Sequence, residues 1–195
     1  MLSSVSTLPF MKAEASDEEL MLSYREGDAK AFEALYSRHK GALYRFILRR
    51  CGQPAVAEEL YQEVWMKLIR AREGYTVKAR FTTWMYQVAR NHCIDYYRRQ
   101  SVAVVNGQQG SLGIEAVEDQ QSKQPDQQLE LQQQTTQLMQ LVDALPVEQR
   151  EAFLLREEAG LGLNEIAEIT GVNRETAKSR LRYAINKLRA GLNQL

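Results

Sequence analysis

Gln87, Asn91, Asp95 and Arg98 follow one another at four-, four- and three-residue steps. A helix sets such residues in one polar stripe. Amide and carboxylate groups can bond the Watson–Crick edge of an unstacked base, while Arg98 and Arg99 neutralise a phosphate backbone. A second cluster holds Arg174, Glu175, Lys178, Ser179, Arg180 and Arg182. On a helix in a major groove, Arg, Lys and Ser read base edges, and Arg180, Lys187 and Arg189 suit phosphates. The competing reading of this cluster is the solvated basic face of an ordinary amphipathic helix. A third set, Glu59, Gln62, Glu63, Trp65 and Met66, makes a polar face with an apolar rim. It suits a protein partner, with plain solvent exposure as the alternative. No HExxH, Gly-rich phosphate loop or Ser/His/Asp set is visible. The chain is therefore expected to catalyse nothing.

These clusters sit in a chain of 195 residues that is 44% hydrophobic and 26% charged. That balance is globular, and the length suits two small domains. Lys plus Arg and Asp plus Glu both number 25, so the total charge is uninformative and the distribution carries the signal. Lys78, Arg80, Arg90, Arg98 and Arg99 face only Asp95 between Tyr75 and Gln100. Arg174, Lys178, Arg180, Arg182, Lys187 and Arg189 face only Glu175. Between the two basic segments lie Glu115, Glu118, Asp119, Asp126 and Glu130 against Lys123. Cys51 and Cys93 are far apart in sequence and fit free thiols in a reducing compartment. His92 beside Cys93 lacks a second ligand pair, so neither a metal nor another cofactor is expected. No apolar run reaches membrane-span length, and Met1 to Phe10 makes a poor signal peptide. A cytoplasmic protein is expected, with Met11 as an alternative start.

The elements that must position these residues read as helices throughout. Ser16 and Glu19 form a capping box for a short helix ending near Gly27. A longer helix over about 28–50 carries Phe32, Leu35, Tyr36, His39, Leu43, Phe46 and Ile47, with His39 read as a packed core residue. Pro54 opens a third, with Ala57, Leu60, Tyr61, Val64 and Leu68 on one face. The fourth runs from Phe81 towards Arg99, where Trp84 shares the Val88 face and reads as core rather than as a stacking platform. Residues 101–129 read as a glutamine-rich linker holding Gly107, Gly110, Gly113 and Pro125. Helix resumes near Leu129 and stops before Pro146. After it come 147–159, 164–170 and 173–192. Asn164 and Asn173 are placed as N-caps around a turn at Gly171, with Val172 plugging the core, which is a helix-turn-helix. The fold class is all-α: a tail over 1–16, a four-helix bundle over 17–100, the linker, and a second helical domain over 130–195.

The stretch from Leu163 to Glu168, then Thr176 to Leu181, with Ala144-Leu145-Pro146 and Arg150 to Arg156 upstream, resembles region 4 of ECF-type bacterial sigma factors. By itself this stretch also fits a response-regulator type of DNA-binding domain. Ala57 to Trp65 resembles region 2.2 of the same family, and Phe81 to Asn91 with Asp95, Arg98 and Arg99 resembles regions 2.3 and 2.4. Two blocks in the right order decide for the sigma family. The resemblance covers about 17–100 and 130–192.

It implies a factor that binds core RNA polymerase and directs it to promoter DNA. The Glu59, Gln62, Glu63, Trp65 and Met66 face would meet the clamp helices of polymerase. Gln87, Asn91, Asp95, Arg98 and Arg99 would take the −10 strand, with a base flipped on opening. Arg174, Glu175, Lys178, Ser179, Arg180 and Arg182 would read the −35 duplex. An anti-sigma factor is the further partner implied. Two departures stand out: Tyr75 to Arg80 replaces a usual Gly-containing segment, and the loop after Arg99 is apolar from Val102 to Val105. The rivals are a dimeric helix-turn-helix regulator that works without polymerase and a small helical hydrolase.

Overall fold

The structure is a computed structural model that describes residues 15–105 and 136–193. The tail before residue 15, the body of the linker and the start of the helix expected near Leu129 lie outside the described residues. Among the described residues there are eight α-helices, one 3₁₀ turn and no strand.

The first bundle holds α1 (Asp17–Arg25), α2 (Ala29–Cys51), α3 (Pro54–Arg70) and α4 (Phe81–Val105). Ser16 caps α1 as expected: its Oγ accepts from Glu19 N–H at 3.2 Å, and Ser16 N–H donates to Glu19 Oε2 at 2.8 Å. Asp28 caps α2 through Lys30 N–H, and Pro54 stands at the start of α3. Gly52 ends α2 at φ 73°, a left-handed conformation that costs a residue with a Cβ. The start of α4 is capped from a distance, because Phe81 N–H donates to Glu18 of α1 at 2.6 Å. Tyr75 is buried and its ring packs at a tilt against Trp84, 5.2 Å between centroids, which anchors the segment before Phe81. Leu35, Leu43, Phe46, Ile47, Leu60, Val64, Met85 and Tyr86 fill the core. Trp84 and Val88 pack against that core, and His39 is held at its edge by Asp17 at 2.8 Å.

Two sequence expectations shift. The fourth helix passes Arg99 and continues to Val105, because nothing between Gln100 and Val105 breaks it and the first glycine is Gly107. The linker's first residues are thus helical.

The second bundle comprises α5 (136–143), α6 (Val147–Glu157), α7 (Leu163–Thr170) and α8 (Arg174–Leu192). Helix α7 starts before the expected cap: Gly162, not Asn164, is the N-cap. The reason is Glu165, whose Oε2 accepts from Gly162 N–H at 2.8 Å and so satisfies the helix start by itself. Gly171 turns the chain at φ 69°, and Asn173 caps α8 by accepting from Thr176 N–H at 2.8 Å. Ala177, Ala184 and Leu188 of α8 are buried against Leu155, Leu161, Ile166 and Ile169. At the far end of α8, a Cβ on Gly191 would stand 2.4 Å from a methyl of Leu141, so α5 and α8 approach here as closely as glycine permits.

Candidate nucleic-acid interface

The polar stripe expected on α4 is outward. Asn91, Asp95, Arg98 and Arg99 are exposed and Gln87 is half-buried. Arg99 bends back over its own helix, donating to the Asp95 carbonyl at 3.4 Å. No ion pair to Asp95 or Arg98 is present among the described residues. A free carboxylate and amide four residues apart on one helix face can bond a base edge.

The outward face of α8 has a comparable makeup. Arg174, Glu175, Lys178 and Arg182 are exposed, while Ser179 and Arg180 are half-buried. Glu175 pairs loosely with Arg174 at 3.3 Å and with Lys178 at 3.8 Å. Pairs so exposed cost little to break when phosphates or base edges offer better partners. Arg182 lies over the ring of Tyr183, which is 51% exposed.

The third face needs one change. Glu59, Gln62 and Met66 of α3 are exposed, but Trp65 is only 5% exposed. Its ring lies edge-on to Phe32 at 5.8 Å and close to Tyr36 at 5.0 Å and Tyr61 at 6.2 Å. Trp65 is therefore a core residue, because α2 brings aromatic rings over it that its own helix periodicity does not reveal. The apolar rim consists of Met66 and Tyr36, exposed by 46% and 37%. The spacing of α2 places Tyr36 on a core stripe, and its partial exposure follows from Trp65 filling the space beneath. Glu63 is half-buried and engaged. His92 Nδ1 accepts from Lys67 Nζ at 2.7 Å, so its other nitrogen is the donor to Glu63. His92 thus braces α4 against α3, and no group of three or more candidate metal ligands occurs among the described residues.

The sequence gives no hint of what joins the two bundles. Three carboxylates of the second bundle dock on cations and hydroxyls of the first. Glu151, 5% exposed, accepts from Arg50 of α2 and from Arg90 of α4, the latter at 2.9 Å. Glu158 accepts from Arg45 at 2.8 Å and lies 3.8 Å from Arg49, and its carbonyl accepts from the Tyr86 hydroxyl at 3.3 Å. Glu165 accepts from the Thr83 hydroxyl at 2.7 Å and from Arg80 at 3.4 Å. Burial raises the Glu165 carboxyl, but the Gly162 N–H, the Thr83 hydroxyl and the Arg80 guanidinium outweigh it and hold it below its ordinary value. Arg80 and Arg90 belong to the basic segment around α4, so two of its five cations are spent between the bundles.

No described helix is long and apolar enough to cross a membrane. Residues 35–102 match the family model "Sigma-70 region 2", and residues 135–188 match "Sigma-70, region 4". The chain is 27% identical to the RNA polymerase sigma factor CarQ of Myxococcus xanthus, over 90% of this chain and 97% of that one. It is 26% identical to the ECF RNA polymerase sigma factor SigW of Bacillus subtilis, over 88% and 94%. Its fold resembles the sigma factor RpoE from Bartonella quintana, solved with the anti-sigma factor NepR. That similarity has a TM-score of 0.69 at 23% identity, over 85% of this chain and 98% of that one.

Proposed function

Since the chain belongs to the sigma-70 family of RNA polymerase sigma factors, and within it to the ECF type, we propose that it acts through three faces. Glu59, Gln62, Met66 and Tyr36 meet core polymerase, with Glu63 at the margin. Gln87, Asn91, Asp95, Arg98 and Arg99 take the −10 strand. Arg174, Glu175, Lys178, Ser179, Arg180 and Arg182 read the −35 duplex. The observation that carries this reading is the exposure of two unlike polar stripes, one per bundle. The α4 stripe mixes Asn, Asp and Arg and suits unstacked bases. The α8 stripe opens a helix behind a helix-turn-helix turn and suits a major groove.

Elements centred at −10 and −35 stand roughly 85 Å apart along B-DNA at about 3.4 Å per base pair. Two docked bundles of this size span under about 70 Å. The ion pairs between them must therefore open before both elements are occupied. The docked arrangement is the resting form, and polymerase and promoter take the separated one. A protein that covers the α3 face or clamps the docked bundles would act as an anti-sigma factor, as NepR is named for RpoE. Nucleotide chemistry stays with polymerase, the chain itself catalyses nothing, and its place of work is the cytoplasm.

Run-off transcription with purified core polymerase and promoter fragments tests the reading. Specific transcripts that need this chain are expected. Duplex binding by a symmetric dimer, with no core association, would hand the chain to the helix-turn-helix regulator class.

A further inference from the structure

Cys51 closes α2 and Cys93 lies within α4, and the fold brings their Sγ atoms to 4.0 Å. Cys93 is fully buried and Cys51 is half-buried, so one sulfur of the pair can meet a small solute and the other cannot. Around them stand Tyr97, whose hydroxyl donates to the carbonyls of Arg50 and Cys51 at 3.0 Å each, and Arg50 itself. We propose that Cys51 and Cys93 form a peroxide-oxidisable dithiol whose disulfide staples the end of α2 to the middle of α4.

The geometry assigns the two roles. Contact with Cys93 lowers the Cys51 thiol against the opposing effect of burial, with help from the Tyr97 hydroxyl and the Arg50 charge. Contact with Cys51 raises the Cys93 thiol, and burial raises it further. Cys51 is the sulfur a small oxidant can reach and Cys93 is not, so Cys51 is the attacking thiolate and Cys93 the resolving thiol. In the first step Cys51 sulfur attacks one oxygen of hydrogen peroxide and the O–O bond breaks. The departing hydroxide takes up the proton that Cys51 released, which leaves a Cys51 sulfenic acid and one water. Cys93 sulfur then attacks Cys51 sulfur, the S–O bond breaks, and the hydroxyl leaves as a second water with the Cys93 proton. Two thiols lose two electrons and peroxide becomes two waters. Joining the sulfurs requires them to close by about 2 Å, within the reach of side-chain rotation between packed helices. A dithiol reductant reverses the bond by exchange.

The staple lies between functional neighbours. Cys93 stands between Asn91 and Asp95 on α4, and Cys51 follows Arg50, the partner of Glu151. The oxidation state therefore sets how firmly the stripe-bearing helix is held to α2.

The test uses the full chain, treated with hydrogen peroxide, alkylated and mapped by non-reducing peptide mass spectrometry. A monomer with Cys51 and Cys93 peptides joined is expected, and dithiothreitol should return both thiols. Amide hydrogen exchange in α4 around Cys93 should slow by about tenfold or more in the oxidised chain. Cys93→Ala should stop at a Cys51 sulfenic acid that dimedone captures, and Cys51→Ala should leave Cys93 reduced. Met66, 46% exposed, supplies an internal scale. Two titratable thiols persisting at a dose that converts Met66 to its sulfoxide would overturn the proposal. Disulfides formed only between molecules would overturn it equally.

Discussion

Glu151 is the most buried carboxylate of the contact between the bundles, at 5% exposure, and its two partners are buried as well: Arg50 at 12% and Arg90 at 20%. Both arginines bond the same oxygen, Oε1, so glutamine keeps the shape and the carbonyl acceptor but removes the charge. Both guanidiniums then stay partly desolvated without a counter-charge. Breaking such a buried pair from one side costs about 3–5 kcal/mol. The glutamine carbonyl can still accept from both arginines, so the lower end applies, about 3 kcal/mol, which moves the docked-to-separated ratio by roughly 150-fold. The neighbouring Arg45–Glu158 pair gives the contrast, because Arg45 is 52% exposed and such a pair contributes about 0–1 kcal/mol. Small-angle X-ray scattering on the full chain reads the difference: Glu151→Gln should enlarge the radius of gyration, and Arg45→Gln should leave it nearly unchanged. Circular dichroism should show equal helix content in both variants, since neither change removes a buried apolar side chain. A Glu151→Gln chain as compact as its parent, or an Arg45→Gln chain that opens first, would refute the ranking of these contacts by burial.

Asn91→Ala with Asp95→Ala should abolish promoter opening in permanganate footprinting while core binding survives, and normal opening would remove α4 from the −10 role. Arg182→Ala should relax base preference at one −35 position at a cost of about 1–3 kcal/mol, read by competition with substituted duplexes. Arg189→Ala should instead weaken all duplexes alike and flatten the salt dependence of binding. Met66→Ala should lower core affinity in co-elution without moving the melting temperature, whereas Trp65→Ala should cost about 3–5 kcal/mol of fold stability in thermal melts. Glu165 is held below its ordinary value of 4.5, so its contribution to docking is complete above that pH. It is lost as the pH falls from there through the folded-state value, and scattering across an acid titration should show the bundles parting in that window, with Glu165→Gln blunting the change.

Local chemistry made much of this structure legible in the sequence. Ser16, Gly171 and Asn173 each mark a helix boundary through bonds made within four residues, Pro54 marks one through its fixed φ at a helix start, and α4 and α8 present the polar stripes that their spacing implies. What failed was non-local. Trp65 is buried by rings that α2 supplies, and Arg80 and Arg90 are consumed by carboxylates from the other bundle. Cys51 meets Cys93 only because α2 and α4 pack side by side. The cap of α7 was misplaced for a subtler reason: Asn164 is the better capping residue type, but Glu165 reaches back to Gly162 and starts the helix earlier. A side chain that bonds both its own helix and a distant element carries information that no single window contains.

That double attachment of Glu165 has a thermodynamic consequence. When the bundles part, Thr83 and Arg80 leave, but the bond from Gly162 N–H stays, because both its ends belong to the second bundle. The first turn of α7 remains closed, so separation demands no melting of the helix-turn-helix. On the opening proposed above, parting is a rigid-body equilibrium between two folded forms, and its constant enters every affinity for the separated form. A ligand that accepts only the separated form binds with its intrinsic strength reduced by the fraction of chains already apart. On that proposal the docked carboxylates act as a threshold on promoter and polymerase concentration, and Arg50 and Arg90 around Glu151 set most of its height.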